Sequence, residues 1–124
     1  MSSGPESAAW ERLRTTVLQE WGFTRWFRIE SPLTAPAFPD LIAFKNGEPY
    51  FIELKAWDAS EERGFNAADV PWRAGQLVVL SQISRTGAKA YVLASVRVGK
   101  SRTRHWWIGY VGGDRALLWR TGTL

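Results

Sequence analysis

Pro39-Asp40-Leu41-Ile42-Ala43-Phe44-Lys45-Asn46-Gly47-Glu48-Pro49-Tyr50-Phe51-Ile52-Glu53-Leu54-Lys55-Ala56-Trp57 is the stretch that decides the fold. Two apolar runs flank Asn46-Gly47, a dipeptide that tolerates the positive φ angles of a tight hairpin turn. Leu41–Phe44 and Tyr50–Ile52 are almost continuously apolar, which predicts strands covered on both faces rather than a half-wet ribbon. A two-residue turn sets Lys45 against Glu48, so the numbers of every opposed pair add to 93. Asp40 and Glu53 then face each other across neighbouring strands, with Cβ atoms about 5 Å apart. Lys55 lies two residues beyond Glu53 and emerges on the same face, about 7 Å along. A bulge near Pro49 would shift this register.

Two carboxylates placed so closely repel when both are ionised. Either a shared proton or a divalent cation relieves that. Mg²⁺ suits the second case, since it accepts one or two carboxylates together with waters and phosphate oxygens. A cation there acts as Lewis acid on a phosphodiester and lowers the pKa of a water, and Lys55 can orient that water or stabilise negative charge in the transition state. The competing interpretation is a cross-strand charge cluster on a solvated face. The apolar strands around these charges argue against it, because buried charges are costly unless paired or metal-bound.

Outward from the hairpin, Ser7 to Trp21 reads as a helix, with Trp10, Leu13, Val17, Leu18 and Trp21 on one face, Ser7 as N-cap and Gly22 as the stop. Phe23 to Ile29 reads as an edge strand with Phe23, Arg25, Phe27 and Ile29 on one side. Pro32 and Pro36 mark Ser31–Ala37 as a loop. Ala59–Ala68 is polar and turn-rich. A second helix is expected from about Val70 to Thr86, capped by Asp69 and tolerating Pro71 in its first turn. Ala88–Val98 is a strand, Gly99–Arg104 a basic turn, and Trp106–Val111 and Ala116–Arg120 are two short strands. The expected architecture is an α/β domain with an αβββαβ core, a mixed central sheet and a short C-terminal β-hairpin.

The chain of 124 residues is one ordinary domain. Residues 1–6 read as a flexible N-terminus without the features of a signal peptide, and 99–124 as an extension. There is no cysteine, which excludes disulfides and iron–sulfur clusters and fits a reducing, cytoplasmic setting. No stretch approaches the roughly 20 apolar residues of a membrane span. Net charge is uneven: residues 1–59 hold six Lys/Arg and eight Asp/Glu, residues 60–124 ten and four. An acidic half suits cations and a basic half suits polyanions. Arg97, Lys100, Arg102 and Arg104, followed by His105, Trp106 and Trp107, form a basic–aromatic patch suited to phosphate contact and base stacking; the alternative is a solvated turn entering a core strand. His105 is the only histidine and cannot build a His-based metal site alone. Most of the eight Trp are expected in or beside the core. No P-loop, dinucleotide fingerprint or nucleophile elbow occurs.

Pro39-Asp40, twelve intervening residues, then Glu53-Leu54-Lys55 resembles the PD-(D/E)XK nuclease signature. The flanking Phe38–Ala43 and Tyr50–Ile52, with Gln76 ahead of Gly87 and the strand Ala90–Leu93, resemble the VRR-NUC and Holliday-junction-resolvase-like branch over roughly residues 7–98. Phe38 departs from the Gly these families often carry before the Pro. The resemblance implies a restriction-endonuclease-like fold and a Mg²⁺- or Mn²⁺-dependent DNA endonuclease acting on branched or junction DNA. It implies Asp40, Glu53 and the Leu54 carbonyl as metal ligands, Lys55 as the catalytic lysine and Gln76 as a positioning residue. An acid on the first helix completes the set, with Glu11 chosen and Glu20 as runner-up. A homodimer is expected if the chain resolves junctions. A sequence-specific or nicking endonuclease of phage or mobile-element type is the first alternative. A catalytically silent DNA-binding module of the same fold is the second.

Overall fold

The computed structural model describes residues 18–29, 37–60, 69–100, 104–112 and 118–121, with the backbone alone at 104–105 and 118–121. In order these residues form α1 (Leu18–Glu20), β1 (Arg25–Arg28), β2 (Leu41–Lys45), β3 (Glu48–Ala59), α2 (Gln76–Arg85), β4 (Lys89–Val98), β5 (Arg104–Tyr110) and β6 (Leu118–Thr121). One six-stranded sheet holds the strands in sequence order. β3 and β4 pair in parallel, with α2 in the connection between them. Every other neighbouring pair is antiparallel. The sheet is mixed, as the α/β reading requires.

The turn chemistry of the hairpin is what its sequence predicts. Asn46 and Gly47 both take positive φ, 54° and 78°, so the strands leave the turn with matched twist. The ladder runs from Lys45↔Glu48 to Leu41↔Ile52 without a bulge, despite Pro49. α1 is the described end of the first expected helix. Gly22, at φ 87°, closes it: its N–H reaches the Gln19 carbonyl, and that of Phe23 the Leu18 carbonyl. This double bond satisfies carbonyls the helix leaves open.

Each face of the sheet has its own core. Leu18, Trp21 and Phe23 pack on Leu41, Ala43, Ile52, Leu54, Leu93 and Ile108. On the opposite face, Leu80 of α2 packs with Val70, Ala90, Val92 and Val111, and Ala94, Val96 and Trp107 continue the cover. Four consecutive residues of β3, Ile52 to Lys55, are buried. By the strand alternation, Ile52 and Leu54 enter the α1 face, and Glu53 and Lys55 the α2 face. Trp21 and Trp107 are buried and Trp26, Trp57, Trp72 and Trp106 half-buried, as expected of core aromatics. At the other end of the α1 face, Tyr50 stacks on Tyr91 and meets Phe23 edge-on. Lys89 lies over the Tyr50 ring, and Glu48 beside it holds its ammonium above the usual lysine range.

Two boundaries differ from those read in the sequence. The second helix starts at Gln76, not near Val70. Pro71 disfavours helical backbone at the residue before it, and Gly75, at φ 82°, sits in the left-handed region just before the helix. Gly75, and not Asp69, therefore stands at the N-cap of α2. β5 starts at Arg104, inside the expected basic turn, and pairs with β4 as well as with β6. The C-terminal hairpin thus extends the central sheet. Among the described residues no helix is long and apolar enough to cross a membrane.

Candidate active site

β2 ends one residue short of the site. Its last pair is Leu41↔Ile52, so continuing the register sets Asp40 opposite Glu53, as the hairpin predicts. The Asp40 side chain takes over from the ladder: the Leu54 N–H donates to its Oδ2 at 2.8 Å. The same register sets Pro39 opposite Leu54. In a strand, the N–H and C=O of one residue point to the same neighbour. The Leu54 carbonyl therefore also faces the β2 side, where Pro39 has no N–H to give it. A proline followed by an aspartate at this place ends the pairing of β2 with β3, while the Asp40 carbonyl still accepts the Ile29 N–H from the β1 side at 2.7 Å.

Glu53 and Lys55 are 1% and 2% exposed. Lys55 Nζ lies 3.6 Å from Glu53 Oε2. Desolvating this pair is costly, and such a pair is weak evidence for stability; a buried ion pair in the middle of a central strand marks this place as a candidate site. The same Glu53 Oε2 receives the side-chain N–H of Gln76 at 2.8 Å. Gln76 is itself buried, and its Oε1 accepts the Arg73 N–H at 2.8 Å. That second bond settles the amide's orientation, since Oε1 is the acceptor end and Nε2 must be the donor.

The loop before β2 and the start of α2 are in close contact. A Cβ built on Gly75 would come within 3.2 Å of the Ala37 Cβ. Gly75 thus lets α2 begin hard against the segment that leads into Asp40. The structure therefore gathers Asp40, Glu53, Leu54, Lys55 and Gln76 at one place. Sequence reasoning missed the roles of Arg73 and Gly75; the Gly ahead of an amphipathic run was the available signal for the latter.

The other site residues fall elsewhere. Glu11 and Arg102 lie outside the described residues. Glu20 is exposed at the end of α1, whose buried side chains pack on the face opposite Glu53 and Lys55. Arg97 and Trp106 share that opposite face by their strand registers. Arg97 holds Asp58 at 2.6 Å, and Trp106 packs beside the α1-face core. Lys100 is exposed in the turn after β4. Arg104 opens β5, opposite Arg97. Arg97 and Trp106 are thus on the other side of the sheet from the buried Glu53–Lys55 pair.

Among the described residues no three acidic, histidine or cysteine side chains cluster. The donors that the strand register sets side by side are all hard oxygens: two carboxylates and a backbone carbonyl. That set fits Mg²⁺ or Mn²⁺, which complete their shells with water and phosphate oxygens, and fits soft metals poorly.

No protein-family model matches the chain, and no curated protein does. Among solved structures, it is similar to the Holliday junction resolvase Hjc of Archaeoglobus fulgidus, an archaeal hyperthermophile, with a TM-score of 0.51 and 20% identity. The match covers 92% of this chain and 87% of that one. The chain has the fold of that resolvase, over nearly its whole length.

Proposed function

We propose that this chain is a divalent-metal-dependent DNA endonuclease that hydrolyses phosphodiester bonds in branched DNA such as a Holliday junction. The observation that carries the reading is the buried Glu53–Lys55 pair, braced by Gln76 and adjoining Asp40 where β2 stops. The fold shared with an archaeal Holliday junction resolvase supports the substrate class.

Asp40 and Glu53, with the Leu54 carbonyl, would hold Mg²⁺ or Mn²⁺, and Glu11 is the further acid proposed from the first helix. A cation so held supplies Lewis acidity toward the scissile phosphate and makes a water more acidic. The residues of the chain do the rest. Gln76 fixes one oxygen of Glu53, so the carboxylate cannot rotate as charge shifts around it. Asp40 is anchored through Oδ2 by the Leu54 amide, and a carboxylate so anchored still has acceptor capacity to spare. The Lys55 ammonium is held in a dry environment, where its charge acts on a developing oxyanion more strongly than in water. Lys100, Arg102 and Arg104 are proposed as phosphate contacts remote from the cut, with Arg97 and Trp106 as lesser ones because of Asp58 and the core. Two copies acting on opposed strands would suit a symmetric junction.

The test is cleavage of labelled four-way junction, flap, linear duplex and single-stranded DNA in Mg²⁺, Mn²⁺ or EDTA. Metal-dependent cutting that prefers the branched substrates supports the reading, and failure to cut any of them overturns it.

A further inference from the structure

The sheet face that carries Glu53 and Lys55 is not evenly covered. α2 packs on β4, while on β1, the edge strand, Phe27 is 57% exposed. Strand pairing shows what shares this face with it. Arg25 stands opposite Phe44, and Phe27 opposite Ile42. Ile42 in turn stands opposite Phe51, which is two residues from Glu53 and on its side of β3. Ring contacts join the row: Phe27 meets Phe44 edge-on at 6.2 Å, and Phe38 meets Phe51 edge-on at 6.0 Å. The row runs from the sheet edge to the segment that carries Asp40. Arg25 is exposed on it.

We infer that this row binds an unpaired nucleobase of the DNA, with Phe27 stacking on the base and Arg25 meeting the adjoining phosphate. The inference deepens the nuclease reading and rests on it. A base inside a duplex offers no face to a phenyl ring, whereas a base freed at a branch, bulge or single strand does. The row thus favours DNA with unpaired bases over plain duplex and leads such a strand toward Asp40, Glu53 and Lys55. Charge decides the occupant. Two copies of the row placed face to face offer Arg25 no carboxylate from the row itself; a polyanion supplies the missing charge.

The test uses 2-aminopurine, whose fluorescence falls on stacking, as the unpaired base of a bulged duplex, with EDTA present to prevent cutting. A fully paired duplex of the same sequence is the control. Wild type is compared with Phe27→Ala, Phe27→Leu and Phe27→Trp, each checked for cooperative unfolding and for mass by sedimentation. Phe27→Leu keeps the apolar bulk and removes the ring. The expected result is that Phe27→Ala and Phe27→Leu bind the bulged probe on the order of tenfold more weakly than wild type. Phe27→Trp keeps the affinity and the quenching, and all four bind the paired duplex alike. A folded Phe27→Ala that binds and quenches like wild type overturns the inference. A Phe27→Ala whose only change is loss of self-association overturns it too, in favour of contact between copies. If wild type binds no DNA of any form, the nuclease reading fails and this inference with it.

Discussion

The side-chain amide of Gln76 donates to Glu53 Oε2 at 2.8 Å and joins the first residue of α2 to the middle of β3. Because the Arg73 N–H holds the other end of that amide, the donor is preset before any substrate arrives. Groups that orient a metal-binding carboxylate commonly matter about 10–100-fold in metal affinity or activity. Gln76→Ala should therefore raise the Mg²⁺ concentration needed for half-maximal cleavage by about that factor, with partial rescue at high Mg²⁺. A metal titration of the cleavage rate checks this. A loss of activity that no Mg²⁺ concentration relieves would speak for a different role.

Metal binding should also be visible without any DNA. A ligand that binds only the folded state stabilises it by about 2.7 kcal/mol at 100 times its Kd. Mg²⁺ or Mn²⁺ should raise the thermal midpoint of the wild type, and Asp40→Asn or Glu53→Gln should lose most of that rise. Differential scanning calorimetry with and without metal measures it. An equal rise in all three proteins would place the metal elsewhere.

Gly75 is held at φ 82° with the Ala37 side chain against it. A side chain there meets both the left-handed backbone penalty of about 1–2 kcal/mol and a close contact. Gly75→Ala should lower stability by about that amount or somewhat more in urea unfolding. It should also slow cleavage, since Gln76 is the next residue. Unchanged stability would mean that the turn relaxes freely.

The basic turn after β4 makes a separate prediction. Each phosphate contact removed lowers the slope of log affinity against log salt by about one. Lys100→Ala should show that change. Arg97→Ala should show less, because Asp58 already neutralises Arg97 at 2.6 Å. Salt titrations of DNA binding for the two variants decide the order.

The sequence was most informative where the chemistry is local. Asn46-Gly47 dictates its turn, the turn dictates the register, and the register brings Asp40 to Glu53 with Lys55 on the same face. Gln76 came from the resemblance rather than from any local signal, since an amide on a helix says nothing of what it faces. The late start of α2 was misread because Asp69 ahead of Pro71 looks like a helix cap, whereas the chain takes left-handed backbone at Gly75 and becomes helical only after it. The joining of β5 and β6 to the sheet was equally hidden: short strands around a Gly-Gly turn look the same whether or not β4 takes them up. Which face Arg97 and Trp106 take was not legible in the sequence: alternation along β4 and β5 turns them away from Glu53 and Lys55. That follows only once the β3–β4 register is known.

The most direct test of the central claim is cleavage of a labelled four-way junction in Mg²⁺ by wild type and by Lys55→Ala, with binding measured in EDTA. The account predicts metal-dependent cutting by the wild type. It predicts a loss of about two to three orders of magnitude in rate for Lys55→Ala, with binding retained. Equal cutting by both proteins, or none by the wild type while it still binds the junction, would contradict it.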